Sequence, residues 1–591
     1  MTRLIEDHAF VGDGRSSALI ARDGAVDWMC APRFDSPPFF AALLGNDDNG
    51  VWRLAPSAPS RCRKRRYAGA GLILETELET EGGVVRLVDF MVRADGAPRL
   101  ARIVEGVCGS VPMSSEILIR PDFGTFLPRI EVLDDGGVRC HGGGDAVTIY
   151  ANVPLAAGEA MIASFFPLRR GDCAWFTLAW HASNDPSPPP FDVDEARTAT
   201  DGEAAQWAAR LCLPPYRQHV VARSATILRN LVYAPTGAVC AAPTTSLPER
   251  IGGSLNWDYR FGWIRDTAFA VWAFLQVGAV EEAAHALEWI LHASAGRPEA
   301  VQAAYSLDGY RRITETTVDE LSGYCGSLPV RTGNAAATQV QVDVYGEIVL
   351  SAIRVEEAGR PLNGEHWRAV TTIADAMHDL WRRFGHGFWE VRGNPEAHVT
   401  GGTLACAGLR AMTRGAERRG DHGRADRYAR VAREVERAIR SDFVDQRNGT
   451  IVTTRSSKRA GATSLWPILL GVIPPDDPVT RATIRAVERE LVRDGLVYRT
   501  KHDFRGHGGA PREGAFLPCT GWLARAHAIC GDLEAARRTY ERFVSTANDA
   551  GIFSEEYDTS TNRMLGNVPQ AFTHAEAILA STVLAAAGLR D

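Results

Sequence analysis

The strongest constraint on the fold of this chain is a change of hydrophobic period across Asn184 to Pro190, NDPSPPP. Prolines lack N–H donors and fix φ, so this stretch neither continues a strand nor enters a helix interior. Upstream, from about Val11 to Trp180, side chains alternate with a period of two: Leu72, Leu74, Thr76 and Leu78 interleave with Ile73, Glu75, Glu77 and Glu79. Glu81-Gly82-Gly83 then turns the chain and Val84 to Met91 resumes the pattern, which predicts a hairpin. Arg22-Asp23-Gly24 and Asp134 to Gly137 read as similar reversals. An antiparallel meander of this kind needs a second layer over its apolar face, so an N-terminal antiparallel β-sandwich is expected over residues 1–185.

Downstream the period becomes helical. Residues 186–220 are expected to be a linker with a helical segment, and residues 221–591 a second, all-helical domain. Helical runs are expected at Thr267 to Val277, Val342 to Ala358, Glu365 to Arg383, Leu404 to Met412, Gly521 to Ala528 and His574 to Ala587, among others. Phe269, Val271, Trp272, Phe274 and Leu275 make one helix apolar on more than one face, as enclosure by neighbouring helices requires. No short repeat of sequence fixes how the helices are arranged.

At 591 residues the chain is too long for one ordinary core, in agreement with two domains. A net charge of -7 leaves no broad basic surface, which argues against nucleic acid or anionic membrane as a partner. A neutral small molecule fits better. The opening MTRLIEDHAF puts Glu6, Asp7 and His8 where a secretory apolar core would run, and the 11 cysteines are odd in number, without a C-x-x-C pair. A cytoplasmic location is therefore expected.

Chemistry concentrates in three loops. Asn256 to Asp266, NWDYRFGWIRD, offers flat aromatic faces for the C–H side of a sugar together with carboxylate and guanidinium partners for its hydroxyls. Read alone, its Arg265-Asp266 pair serves equally well as a helix cap. Gly387 to Gly393, GFWEVRG, sets Glu390 beside Trp389, where desolvation would suit a general acid, although a lone loop glutamate is more often solvated. Phe553 to Asp558, FSEEYD, places three carboxylates in four residues, and an exposed acidic turn is the plainer reading. His574 opens an apolar helix and is expected to be structural. No H-x-x-x-H, H-E-x-x-H or paired-Cys spacing supports a metal, and no phosphate loop or dinucleotide fingerprint supports a cofactor.

Taken in order, these segments resemble glycoside hydrolase family 15, the glucoamylase, glucodextranase and trehalase family in its bacterial form. The resemblance runs through GDGRSSALIARDGAVDWMCAPRFDSPPFFAALLG (Gly12 to Gly45), YAPTGAVCAAPTTSLPE (Tyr233 to Glu249), NWDYRFGWIRDTAF and PVRTGNAAATQVQVDVYGEI (Pro329 to Ile348), then GFWEVRG, EGAFLPCT, SEEYD and GNVPQAFTH. It implies a C-terminal (α/α)6 barrel behind the β-sandwich and an inverting α-glucoside hydrolase. Glu390 then matches the general acid and Glu555 the general base, with Glu556 competing for the base because adjacent side chains diverge. Arg265 and Asp266 match the pair that holds the terminal glucose. Tyr259, Trp263 and Arg499 match positions lining the same subsite, and Trp389 and Glu556 join them as substrate-binding positions. Glu390 and Glu555 are therefore expected to face one pocket at the spacing of an inverting pair, roughly 6.5–9.5 Å; about 5 Å would indicate retention.

Departures from the family pattern concern specificity. Glu396 to Thr403 lacks the lysine common after the acid, Glu320 stands where histidine is frequent, and Thr338 replaces a frequent aspartate. Exo-action releasing β-glucose from short α-glucosides, glucoamylase-like, is the first expectation. Trehalase is the alternative, marked by a closed polar second subsite that admits one further glucose. A catalytically silent carbohydrate-binding relative is the reading from a different class. The expected partner is a small oligosaccharide or disaccharide, with no cofactor and no metal, and self-association into a homo-oligomer is left open.

Overall fold

A computed structural model describes residues 3–93, 96–501 and 513–591; the first two residues of the opening segment lie outside it. Fifteen strands between His8 and Ala182 form one antiparallel sheet system. The turns expected at Arg22-Asp23-Gly24, Glu81-Gly82 and Asp134 to Gly137 separate paired strands, Ser17–Ala21 from Ala25–Cys30, Ile73–Thr80 from Gly83–Met91, and Arg129–Val132 from Val138–Gly142. Each turn supplies a glycine or carboxylate that accommodates the reversal.

The organising element is the 20-residue strand Arg99–Leu118. Its first half lies between Gly83–Met91 and Cys173–Ala182, and its second half between Val51–Pro56 and Ile162–Arg169. One strand thus joins two sheet faces and lets their apolar sides meet. Within that core Arg102 and Asp89 are fully buried and joined by a 2.7 Å hydrogen bond. Arg102 also donates to the carbonyls of Gly24 and Trp52, so its donors are met without water.

Asn184 to Pro190 carries no helix or strand. Beyond it the chain is mainly helical. Helix Ile264–Gln276 packs against Val280–Ala293, Asp343–Glu357 and Ala571–Ala586, and Leu517–Ile529 packs against Ala571–Ala586. The multi-faced apolar pattern around Phe269 follows from this enclosure: Ala268 to Phe274 are all buried. No helix among the described residues is long and apolar enough to cross a membrane.

Two kinds of helix start are present. Gly364–Leu380, His422–Asp442, Pro478–Leu491 and Leu533–Val544 begin with Asn363, Asp421, Asp477 and Asp532, whose side chains accept from the first free N–H groups. Ile264–Gln276, Val399–Arg418, Leu517–Ile529 and Ala571–Ala586 have no side-chain cap. Three of these uncapped starts, at Ile264, Leu517 and Ala571, lie beside the cavity described next. Their amide ends bring partial positive charge toward the carboxylates gathered there.

The N-terminal sheet and the helical region are tied at several points. Trp28 donates its indole N–H to the Pro243 carbonyl at 2.7 Å, Arg260 donates to the Ser36 carbonyl at 2.8 Å, and Asn548 donates to the His8 carbonyl at 2.8 Å. Arg260 is held in turn by both oxygens of Asp258, which fixes the loop between Trp257 and Gly262.

Candidate active site

Most of the aromatic and charged residues singled out in the sequence line two adjoining lobes. Tyr259, Trp389, Glu390 and Arg499 line both. The narrower inner lobe adds Trp263, Arg265, Asp266, Phe516 and Gln570. The outer lobe, about 370 Å³, adds Glu249, Trp257, Gln339, Arg392 and Glu513. A larger cleft of 970 Å³ around Arg33, Asp308 and Tyr310 contains none of the expected site residues.

Trp263 and Arg265 meet at Glu390. Strand Gly262–Trp263 runs straight into helix Ile264–Gln276, so the two side chains project from a strand-to-helix junction. The Trp263 indole N–H donates to Glu390 Oε1 at 2.7 Å and Arg265 Nη2 donates to the same oxygen at 2.9 Å. Arg265 Nη1 also donates to the Phe388 carbonyl at 2.7 Å, so one guanidinium holds both the carboxylate and its loop. Glu390 itself adopts φ 55, a left-handed conformation that a side chain tolerates at a cost and that such anchoring maintains. The sequence placed this glutamate in a desolvating aromatic niche. The structure corrects that: its carboxylate has a cation and an indole donor, because Arg265, not Trp389, reaches it.

Trp389 turns toward the aromatic floor, its ring 5.7 Å from Trp522 and 5.2 Å from Phe516 between centroids. Phe388, Phe269, Trp466 and Phe572 complete this floor. In the inner lobe's wall Asp266 is buried beside Arg265, at 3.6 Å, and burial raises its carboxyl to about 6 against the pull of that arginine.

Against the expectation that both glutamates face one pocket, Glu390 lines both lobes and Glu555 lines neither. It is buried behind Tyr259, whose hydroxyl donates to Glu555 Oε1 at 2.7 Å, while the Asn567 N–H donates to Oε2 at 3.3 Å. Tyr259 stands 5.5 Å from Trp263 between ring centroids, so an aromatic pair separates Glu555 from Glu390. Burial lifts the Glu555 carboxyl to about 7, with the Tyr259 hydrogen bond and the Arg499 charge opposing. Gly566, at φ +69, makes the space: a Cβ there would fall 2.4 Å from Glu555 Oε2.

Glu556, expected among the substrate-binding residues and as the rival base, faces elsewhere. It lies on strand Glu556–Asp558, accepts from the Gly514 N–H at 2.7 Å and approaches Arg499 Nη2 at 3.3 Å, fully buried and outside the cavity lining. Strand alternation sends the two neighbouring carboxylates in different directions, and Glu556 serves Arg499.

Arg499 is gripped by Glu249 at 2.8 Å, by Glu513 and by Glu556. One oxygen from each of these glutamates lies within 4.8 Å of the others, a spacing that a metal ion also accepts. The guanidinium already supplies the positive charge, so the cluster is a cradle for Arg499. Its negative charge exceeds what one arginine neutralises, and burial holds the Glu249 carboxyl up to about 8 despite Arg499.

His574 is structural, as the sequence suggested. It accepts from the Phe553 N–H, lies 3.1 Å from the Ser224 hydroxyl, and burial lowers its pKa to about 3, leaving it neutral.

Sequence reasoning gave no role to Glu249, Trp257, Gln339, Arg392, Glu513 or Gln570. All six lie in segments that carry the family resemblance, so a charged or aromatic residue within such a segment was the available signal. Glu315, which holds Arg392, lies outside every such segment.

Comparison with known proteins gives the family. The model for glycosyl hydrolases family 15 matches residues 215–582, and that for a trehalase-like N-terminal domain matches residues 1–154. The chain belongs to glycosyl hydrolase family 15. It is similar to a trehalase of Mycolicibacterium smegmatis, 32% identical over 96% of this chain and 89% of that one, and to a trehalase of Mycobacterium tuberculosis, 32% identical over 96% and 88%. Among solved structures, a bacterial glucoamylase complexed with acarbose matches with a TM-score of 0.73 over 97% of this chain and 93% of that one, at 13% identity, a likeness of fold. This family 15 protein is a glycoside hydrolase, an enzyme class that acts on disaccharides or oligosaccharides.

Proposed function

We propose that this glycoside hydrolase is an inverting trehalase, built on an (α/α)6 helical barrel, with Glu390 as general acid and Glu555 as general base. The observation that carries the substrate reading is the likeness to trehalases along almost the whole chain, including a trehalase-like N-terminal domain. The sequence motifs set glucoamylase-like action first and trehalase second; that likeness favours the reverse order.

In this mechanism the terminal glucose occupies the inner lobe beside Arg265 and Asp266, and the second glucose occupies the outer lobe. Glu390, where the lobes meet, gives its proton to the glycosidic oxygen as the C1–O bond breaks. Water delivered at Tyr259 attacks C1 from the opposite face and passes a proton to Glu555. Tyr259 orients the Glu555 carboxylate and, with Trp263, keeps the two carboxyl groups on opposite sides of the sugar. Arg265 holds Glu390 in place, and between turnovers Glu390 takes a proton back from solvent while Glu555 releases the one it gained.

Glucose release by the purified protein from trehalose, maltose, isomaltose and maltotetraose tests the reading. It predicts that kcat/KM for trehalose exceeds the others by roughly tenfold or more. Faster release from maltotetraose would restore the glucoamylase-like reading.

A further inference from the structure

Part of the outer lobe's wall, among the described residues, is an assembly that the reaction itself does not require. Arg392, two residues beyond Glu390, reaches across to Glu315 with two parallel hydrogen bonds, one of 2.9 Å from Nη1 to Oε1 and one from Nη2 to Oε2. The same guanidinium lies 4.1 Å from the centre of the Trp257 ring, and Arg331 lies 4.4 Å from that ring. Trp257 donates its indole N–H to Glu249 Oε1 at 3.1 Å, which ties it to the Arg499 cradle. A planar fork held bidentately against an indole is among the better defined placements open to a surface arginine, and Arg392 is otherwise half exposed. It is spent on the wall of a cavity.

We infer that Arg392, fixed by Glu315 over Trp257, is a specificity-determining residue that ends the leaving-group side of the site after one sugar. This rests on the placement of the two lobes under Proposed function. Four residues line both lobes, Glu390 among them, so the scissile bond lies at their junction and the outer lobe receives the leaving sugar. Trp257 offers that sugar a flat face, and Arg392 offers guanidinium donors beside it while occupying the space a third sugar would need. A chain extended beyond the leaving sugar meets the Arg392–Glu315 pair. The preference for a disaccharide is thereby built into a loop only two residues from the proposed acid.

The test measures kcat/KM for trehalose, maltose, maltotriose and maltotetraose in the wild type, Arg392→Ala, Arg392→Lys and Glu315→Gln proteins. Thermal melting and glucose product inhibition confirm that each variant is folded with its inner lobe intact. The expected result is a fall in the maltose-to-maltotriose preference by roughly tenfold in Arg392→Ala, with Glu315→Gln and Arg392→Lys between it and the wild type. An equal loss on every substrate would make Arg392 an anchor of the Glu390 loop and overturn the inference, as would an unchanged chain-length preference in all three variants. A wild type inactive on trehalose would remove the trehalase reading alone, because the maltose-to-maltotriose comparison still reads the wall.

Discussion

Glu390 and Glu555 receive opposite treatment from their surroundings. Glu390 has a guanidinium and an indole N–H on one oxygen, an arrangement that holds it in place, whereas Glu555 is buried among carboxylates with Tyr259 as its chief neutral donor. Replacing Glu390 by Gln keeps the shape and removes the transferable proton, so kcat should fall by about 10²–10⁴-fold with glucose inhibition retained. Steady-state kinetics with glucose as inhibitor measure both; near-normal turnover would remove Glu390 from its role. As a base, Glu555 must be ionised, so activity should rise with pH through its value near 7. The Tyr259 hydroxyl pulls that value down. In Tyr259→Phe the acidic limb of kcat/KM should therefore move to higher pH, and a limb that stays in place would show that another group governs it. Both glutamates were singled out only through the family resemblance, since each motif read alone favoured a solvated loop or an exposed acidic turn. Their environments were not legible in the sequence: Arg265 reaches Glu390 across 125 residues and Tyr259 reaches Glu555 across 296, and no local pattern encodes such encounters.

At the scale of elements, three buried helices start beside the cavity without side-chain caps, at Ile264, Leu517 and Ala571, whereas Gly364–Leu380, His422–Asp442, Pro478–Leu491 and Leu533–Val544 carry Asn or Asp caps. The helical periods were readable, and the expected helix at Thr267 to Val277 differs from Ile264–Gln276 by a few residues only. Val399–Arg418 runs much longer than the Leu404 to Met412 expected, because Thr400, Gly401, Gly402 and Thr403 break the apolar pattern yet are buried by packing. The strand Arg99–Leu118 was equally hard to see, since its second half alternates small polar with apolar residues and takes its partners from distant strands. Between strands Glu556–Asp558 and Arg563–Leu565 and the helix that follows, Gly566 leaves room for Glu555. Gly566→Ala forces a side chain into φ +69 and into that carboxylate, so it should cost about 1–3 kcal/mol and lower kcat together. Chemical denaturation and kinetics on the same sample check this; a stable and fully active Gly566→Ala protein would contradict the geometry.

For the whole molecule, the N-terminal sheet works as a buttress. Trp28, Ser36 and His8 meet the helical region at Pro243, Arg260 and Asn548, and the Arg260–Asp258 pair passes that support to the loop carrying Trp257 and Tyr259. The two-part organisation followed from the change of period at Asn184 to Pro190, whereas the contacts between the parts depend on three-dimensional packing. The site also loads the fold electrostatically. Asp266 and Asp343 are raised to about 6 and Glu249 to about 8 by burial. Such groups bind protons more tightly when folded, so their contribution is full below the unfolded carboxyl value and is lost as pH rises through the folded one. The melting temperature should therefore decline between about pH 4.5 and 8, and Glu249→Gln, which cannot ionise, should flatten that decline. A Glu249→Gln protein with an unaltered pH slope in calorimetry would show that Glu249 is ionised in the fold.

The central claim is inverting hydrolysis of trehalose by the Glu390 and Glu555 pair. Proton NMR of the first seconds of trehalose hydrolysis tests it most directly. Inversion at the attacked carbon yields one β-glucose, and the leaving sugar departs as α-glucose, so the account predicts equal amounts of both anomers before mutarotation. α-Glucose alone would establish retention, and no release of glucose from trehalose would contradict the substrate assignment.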